Sequence, residues 1–388
     1  MVKINPHFEK LSPSYLFVEI QKRCQKKSFS RPLINLGIGD TVKPLPKVAV
    51  RALQSAADEM GGSSSFKGYG PSHGYDFLRD AIAQNDYKDL DPDEIFISHG
   101  AKTDCAEIHE LFHPDCKVAL CDPVYPVYLS SSQLYGRNNT FIPCTAENNF
   151  QPIPPEEHFD LIYLCSPNNP TGLVLDTHLM KRWVKYAQKF QSVLLVDGAY
   201  FAFIQDHGLP KSIYEIDGAK EVAIEVRSFS KTAGFSGLRC SYTVIPHELK
   251  IDGMPLNELW KRRLNITTNG VSYPIQRAAA ALYTEEGRVE IQNDIQDYMD
   301  TAKKLKEAFS KQGLTVYGGE NAPYLWCKNP KDFTSWQFFD FLLEEVQLIC
   351  TPGVGFGPSG EGYVRFSAFL TKEKLNEVKE RIKEVNIS

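Results

Sequence analysis

Six short runs of this chain are almost continuously apolar: Ile95-Phe-Ile-Ser98, Val118-Ala-Leu-Cys121, Leu161-Ile-Tyr-Leu-Cys165, Val193-Leu-Leu-Val196, Val222-Ala-Ile-Glu-Val226 and Ser241-Tyr-Thr-Val-Ile245. A strand with one wet face alternates apolar and polar residues, whereas a strand covered on both faces does not. Helical stretches such as Leu179 to Phe190 lie between the runs. The pattern predicts an α/β fold with a mostly parallel sheet between layers of helices. The final third differs. Val289, Ile295, Tyr298, Met299, Ala302, Leu305 and Phe309 recur at three- and four-residue spacings, the stripe of a long amphipathic helix. Short strands around Leu314 to Tyr317 and Tyr324 to Cys327 then alternate with helices up to the charged stretch Lys372 to Glu384. At 388 residues the chain exceeds one ordinary core. A large domain over 46–284 is expected, with a smaller α+β domain from 285–388 completed by residues 1–45.

Ligands of α/β sheets collect at the carboxyl ends of the strands, and these ends carry chemical residues. Val222 to Val226 opens into Ser228-Phe-Ser-Lys231, with Arg239 eight residues further on. Two hydroxyls and a guanidinium suit a phosphate, and a lysine among them can form a Schiff base with a carbonyl. That pairing points to pyridoxal 5′-phosphate, a cofactor that acts as an electron sink. Val193 to Val196 ends in Asp197-Gly-Ala-Tyr200. There a carboxylate could keep a ring nitrogen protonated and a phenol could donate to a ring oxygen. Leu161 to Cys165 ends in Ser166-Pro-Asn-Asn-Pro-Thr-Gly172, whose Asn169 amide is a further donor. Ile95 to Ser98 ends in His99-Gly-Ala-Lys102, where the helix that follows aims N–H groups at an anion. Val118 to Cys121 ends in Asp122-Pro-Val-Tyr-Pro126, placing Tyr125 to stack on a flat ring. Each motif alone is an ordinary turn or packing anchor; their number and order carry the argument.

Composition removes other classes. A net charge of −5 argues against nucleic-acid or anionic-membrane partners. No apolar run reaches membrane-spanning length, and Met1 to Lys10 lacks a signal-peptide core. Nine scattered cysteines without a C-x-x-C pair suggest free thiols in a reducing cytosol, so a cytoplasmic protein is expected.

In sequence and spacing, Gly-Ala-Lys102, Tyr125, Asn-Asn-Pro-Thr-Gly172, Asp197-x-x-Tyr200, Ser228-x-Ser-Lys231 and Arg239 resemble the fold-type I aminotransferases. Arg365, in Gly362-Tyr-Val-Arg-Phe-Ser367, stands where that family places its substrate-carboxylate arginine. A narrower likeness, to the LL-diaminopimelate aminotransferase family, rests on Asn5-Pro-His-Phe8 with Tyr15, Asn35-Leu-Gly-Ile-Gly-Asp-Thr41, Gly68-Tyr-Gly-Pro71, Thr268-Asn-Gly-Val-Ser272 and Pro352-Gly-Val-Gly-Phe-Gly357. The resemblance implies a homodimer, a seven-stranded sheet and pyridoxal phosphate. It also implies amino transfer between LL-2,6-diaminopimelate and glutamate, with tetrahydrodipicolinate and 2-oxoglutarate as the keto partners, in lysine and peptidoglycan precursor synthesis.

The same resemblance assigns roles. Lys231 would carry the Schiff base and move the proton, Asp197 would pair with the pyridine nitrogen, and Asn169 and Tyr200 would bond the phenolic oxygen. Tyr125 would stack on the ring. Ser228, Ser230, Arg239, Ala101 and Lys102 would hold the phosphate, with Tyr69 reaching in from a second subunit. Arg365 would clamp the α-carboxylate. Gly39, Lys102, Tyr125, Asn169, Tyr15 and Asn269 would line the substrate pocket, with Tyr15 and Asn269 coming across the dimer interface. One departure stands out. Where the family's loop carries an acid for the substrate's distal ammonium, this chain has Ser72, in Gly70-Pro-Ser-His-Gly74. That keeps a second expectation open, a related aminotransferase with an aromatic, dibasic or small neutral donor. A lyase or a non-catalytic regulator on the same fold is a more distant expectation.

Overall fold

A computed structural model describes residues 1–11, 16–25, 28–330 and 333–385. Its main sheet has seven strands, ordered Ile95–Ser98, Ser241–Val244, Ala223–Ser228, Val193–Asp197, Leu161–Cys165, Lys117–Asp122 and Asn138–Pro143. Ser241–Val244 runs antiparallel to both neighbours, and the remaining pairs are parallel. All six apolar runs are strands of this sheet. The fifth begins one residue later than the sequence suggests and runs on to Ser228. The seventh strand, Asn138–Pro143, alternates in exposure at the sheet edge, so its polar sequence lacks the signature of the buried six. Its parallel register pairs Leu120 with Phe141.

Helices cover both faces because their apolar stripes need burial. Thr177–Phe190 starts where the Asp176 carboxylate accepts from the Leu179 amide at 2.7 Å, and it buries Leu179, Met180, Trp183, Val184 and Ala187. Glu285–Lys311 starts on Thr284, whose hydroxyl accepts from the Gly287 amide. It buries Ile295, Tyr298, Met299, Ala302, Leu305 and Phe309. At about 2 kcal/mol for each large apolar side chain, that stripe outweighs the few tenths from any surface ion pair, so it sets which face turns inward. Val289 is a correction to the expected stripe, being 51% exposed. The first turns of the helix instead meet Lys47–Gly61 through polar contacts, Arg51 to Glu286 and the Val48 amide to Glu290.

The smaller sheet is antiparallel and four-stranded, in the order Val316–Gly318, Tyr324–Lys328, Tyr363–Ser367 and Thr351–Pro352. Beside it, Ile34–Asn35 pairs in parallel with Leu348–Ile349. The N-terminal segment therefore shares the core of the C-terminal third, where Ile34 and Leu36 pack with Leu325, Phe338, Val364 and Phe366. None of the nine cysteines is in a disulfide. Among the described residues no helix is long and apolar enough to cross a membrane.

Candidate active site

The carboxyl ends of the main strands open into a cleft of about 440 Å³, closed on its other side by the smaller sheet and the N-terminal loop. Gly39, Ala101, Lys102, Tyr125, Asn169, Asp197, Tyr200, Ser228, Ser230, Lys231, Arg239 and Arg365 all line it. Most of the residues singled out from sequence are thus brought together.

Asp197 is the last residue of its strand and is buried. Its Oδ1 accepts from the Ala199 amide at 2.9 Å and its Oδ2 from the Tyr128 hydroxyl at 2.5 Å, with the Cys105 thiol 3.9 Å away. Burial pushes its carboxyl above the usual carboxylate range, while these bonds pull the other way. A buried carboxylate held by neutral donors is suited to a cationic ring N–H on its cleft side.

Lys231 sits on the short helix Phe229–Thr232, which Ser228 caps by accepting from the Ser230 amide at 3.1 Å. Its Nζ lies 3.1 Å from Asp40 Oδ1. Burial holds its amine below the usual lysine range; Asp40 opposes that, and Arg365 and Arg239 reinforce it. At the phosphate end, Gly100 has φ +132°, and a Cβ there would collide with the Arg239 guanidinium. Arg239 is itself left-handed at φ +62°, an unfavourable backbone for a residue with a side chain. Its Nη1 donates to the Ser236 carbonyl at 2.7 Å. Close packing of Gly100, Arg239 and the Ser228–Ser230 turn makes a cradle of hydroxyls, amides and one guanidinium, the donor set a phosphate monoester needs.

Arg365 is buried on Tyr363–Ser367, with neutral partners. It donates to Asn169 Oδ1 at 2.6 Å, to the Gly37 carbonyl at 2.6 Å and to Thr351 Oγ1 at 3.4 Å, and its Nε has no hydrogen-bond partner. A buried guanidinium among neutral groups is matched to a carboxylate. Binding the arginine commits the Asn169 oxygen and leaves its NH₂ as the donor group.

Three residues missed in the sequence complete the arrangement. Tyr324 is buried on the smaller sheet, its hydroxyl 2.5 Å from that of Tyr200 and its ring 4.4 Å from the Arg365 guanidinium. A Cβ at position 39 would strike the Tyr324 hydroxyl, so Gly39 is fixed by this approach. Tyr128, one helical turn after Tyr125, supplies the bond to Asp197. Asp40 belongs to a motif already noted, but nothing in that motif marks Lys231 as its partner.

Two expected residues are not brought to the cleft by this chain. Tyr69 is 91% exposed and Asn269 is exposed on the loop after Leu256–Thr267. Tyr15 lies outside the described residues.

A model of the class I and II aminotransferase family matches residues 31–382. The chain is 50% identical to LL-diaminopimelate aminotransferase of Lawsonia intracellularis, over 98% of each chain. It is 48% identical to the enzyme of that name from Bacteroides fragilis, over 99% of each. The solved structure of L,L-diaminopimelate aminotransferase from Chlamydomonas reinhardtii superposes with a TM-score of 0.94, at 40% identity over 99% of both chains. Sequence, fold and cleft agree, and the chain belongs to the class I and II aminotransferases of fold type I, in the family of the LL-diaminopimelate aminotransferases.

Proposed function

We propose that this chain transfers an amino group between LL-2,6-diaminopimelate and 2-oxoglutarate, with tetrahydrodipicolinate and glutamate on the other side. The observation that carries the chemistry is the convergence of Lys231, Asp197 and Arg365 on one cleft. The substrate follows from relatives that match nearly the whole chain. Pyridoxal phosphate is the cofactor that this donor set fits. When bound, it supplies a carbonyl that condenses with amines and a ring that withdraws electrons from the substrate's Cα.

The chain's residues divide the remaining work. Ser228, Ser230, Arg239, Ala101 and Lys102 would hold the phosphate, and Tyr125 would pack against the ring. Asp197 would keep a proton on the ring nitrogen, because a buried anion favours the charged form of its partner. Asn169 and Tyr200 would donate to the ring oxygen. Arg365 takes the α-carboxylate in a paired hydrogen bond and so fixes which face of the substrate meets Lys231. Lys231 Nζ accepts the α-proton and delivers it on the other side of the C–N bond. Its lowered basicity favours an amine able to act as a base. One substrate must leave before the next enters, so ping-pong kinetics follow.

The working enzyme is a homodimer in the cytoplasm, in which Tyr69, Tyr15 and Asn269 of a second copy finish the pocket. Each chain divides into a large domain over 46–284 and a small one from 1–45 and 285–388. A second reading, another or broader amino donor, is favoured by Ser72: its hydroxyl donates to Asn265 and brings no negative charge to a distal ammonium.

Borohydride reduction followed by peptide mapping tests the site, together with an assay of glutamate formed from LL-diaminopimelate and 2-oxoglutarate. Label on Lys231 and glutamate that requires both substrates are expected. Label on another lysine, or none, would overturn the site.

A further inference from the structure

The loop after Ile34–Asn35 forms one wall of the cleft and touches three of its working groups. The Gly37 carbonyl accepts from Arg365, Gly39 passes against the Tyr324 hydroxyl, and the Asp40 carboxylate reaches Lys231 Nζ at 3.1 Å. Asp40 is itself held. Its Oδ1 accepts from the Thr41 amide at 2.9 Å, and the Ser236 hydroxyl also bonds to it. The charged groups that bear most on Lys231 are Asp40, Arg365 and Arg239, and Asp197, Lys102, Tyr200 and Tyr324 line the same cleft. Both arginines disfavour a proton on the amine, and the Asp40 carboxylate, in direct contact with it, opposes them. We propose that Asp40 is a positioning residue for Lys231, its carboxylate aiming the amine across the cleft and retaining its proton between the two halves of the transfer.

The inference rests on reading Lys231 as the residue that joins the cofactor. It adds a reason for the loop's placement: the wall that receives the carboxylate clamp also carries the lysine's counterion. An ion pair between a largely shielded ammonium and a half-exposed carboxylate keeps part of its strength, because one partner is mostly screened from water.

The test compares wild type, Asp40→Asn and Asp40→Glu, each loaded with pyridoxal phosphate, by pH titration of the bound cofactor's visible absorbance. Removing an anion beside the lysine nitrogen disfavours its protonated form. The Asp40→Asn midpoint should therefore fall by about one pH unit or more, and Asp40→Glu should recover toward wild type. Turnover in Asp40→Asn should drop through kcat, with the donor's KM little changed. An unchanged midpoint would overturn the proposal, whatever happens to turnover. Should Asp40→Asn fail to load, acetic anhydride labelling of Lys231 at graded pH in the cofactor-free protein gives the same comparison. There the labelling midpoint should again fall, and an unchanged midpoint again overturns the proposal. Borohydride label on a lysine other than Lys231 would instead defeat the cofactor reading, which the acetic anhydride experiment does not depend on.

Discussion

The floor and the rim of the cleft are made from different kinds of sequence. The floor is the set of strand ends: Asp197, Asn169, Tyr125 and the turn from Ser228 to Lys231. Each follows an apolar run buried on both faces, so packing of the sheet determines where the side chain stands. The rim is the loops around Tyr69, Ser72 and Asn269, which are half-buried or exposed in a single chain. Exposed apolar groups gather on the same segments, Phe66 beside Tyr69 and Ile266 beside Asn269. On the proposed function, chemistry is set by the floor, where the core holds geometry, and selectivity by loops whose environment a second copy would complete.

Substitutions that separate floor from rim test this division. Lys231→Ala should cost the most, on the order of 10⁴-fold or more in kcat, since it removes both the covalent attachment and the proton carrier. A variant that transaminates at near the normal rate would remove Lys231 from the mechanism. Arg365→Ala should lower kcat/KM on the order of 10²-fold, with Asn169 losing its partner as well. Equal loss for amines that lack an α-carboxylate would show that the arginine supports structure instead.

Beneath the phosphate end of the floor, Asp104 is fully buried and accepts from Ser98 and from Thr243 at 2.8 Å. Burial pushes its carboxyl up to about 7. A folded-state value above the unfolded one favours the protonated folded protein. Stability from this group is therefore complete at low pH, falls as pH rises through the ordinary carboxylate range toward 7, and is flat beyond. Asp104→Asn should remove that slope, its gain in Tm over wild type growing as pH rises from the ordinary carboxylate range to about 7 and levelling off above it. Parallel Tm profiles would contradict the assignment. At the rim, Ser72→Ala should change kcat/KM for LL-diaminopimelate by about twofold at most, the scale of a surface substitution. A loss as large as that of Arg365→Ala would place selectivity in Ser72 and break the division.

Legibility followed the same line. Six strands, the long helix and all the floor residues were readable, because near-continuous apolar runs and helical stripes report burial directly. Asn138–Pro143 was not, since its sequence is largely polar and much of the strand is exposed or only half-buried, unlike Ile95–Ser98 at the opposite edge, which is buried throughout. Tyr128, Tyr324 and Asp40 were also missed. Tyr324 meets Tyr200 across 124 positions of sequence, and Asp40 meets Lys231 across 191. Such contacts depend on how two sheets face each other, which no local pattern encodes. Tyr69 and Asn269 are expected at the site through resemblance alone, and nothing in the single chain draws them to the cleft.

The most direct measurement is one half-reaction. The purified protein loaded with pyridoxal phosphate is mixed, without acceptor, with LL-diaminopimelate and separately with its meso isomer, glutamate, arginine, tyrosine and aspartate, and the loss of the cofactor's visible absorbance is followed. Rapid conversion by LL-diaminopimelate and glutamate, and by none of the others, is the predicted result. Conversion by another donor while LL-diaminopimelate stays inert would contradict the proposed function, leaving the floor's chemistry in place and the rim's selectivity misread.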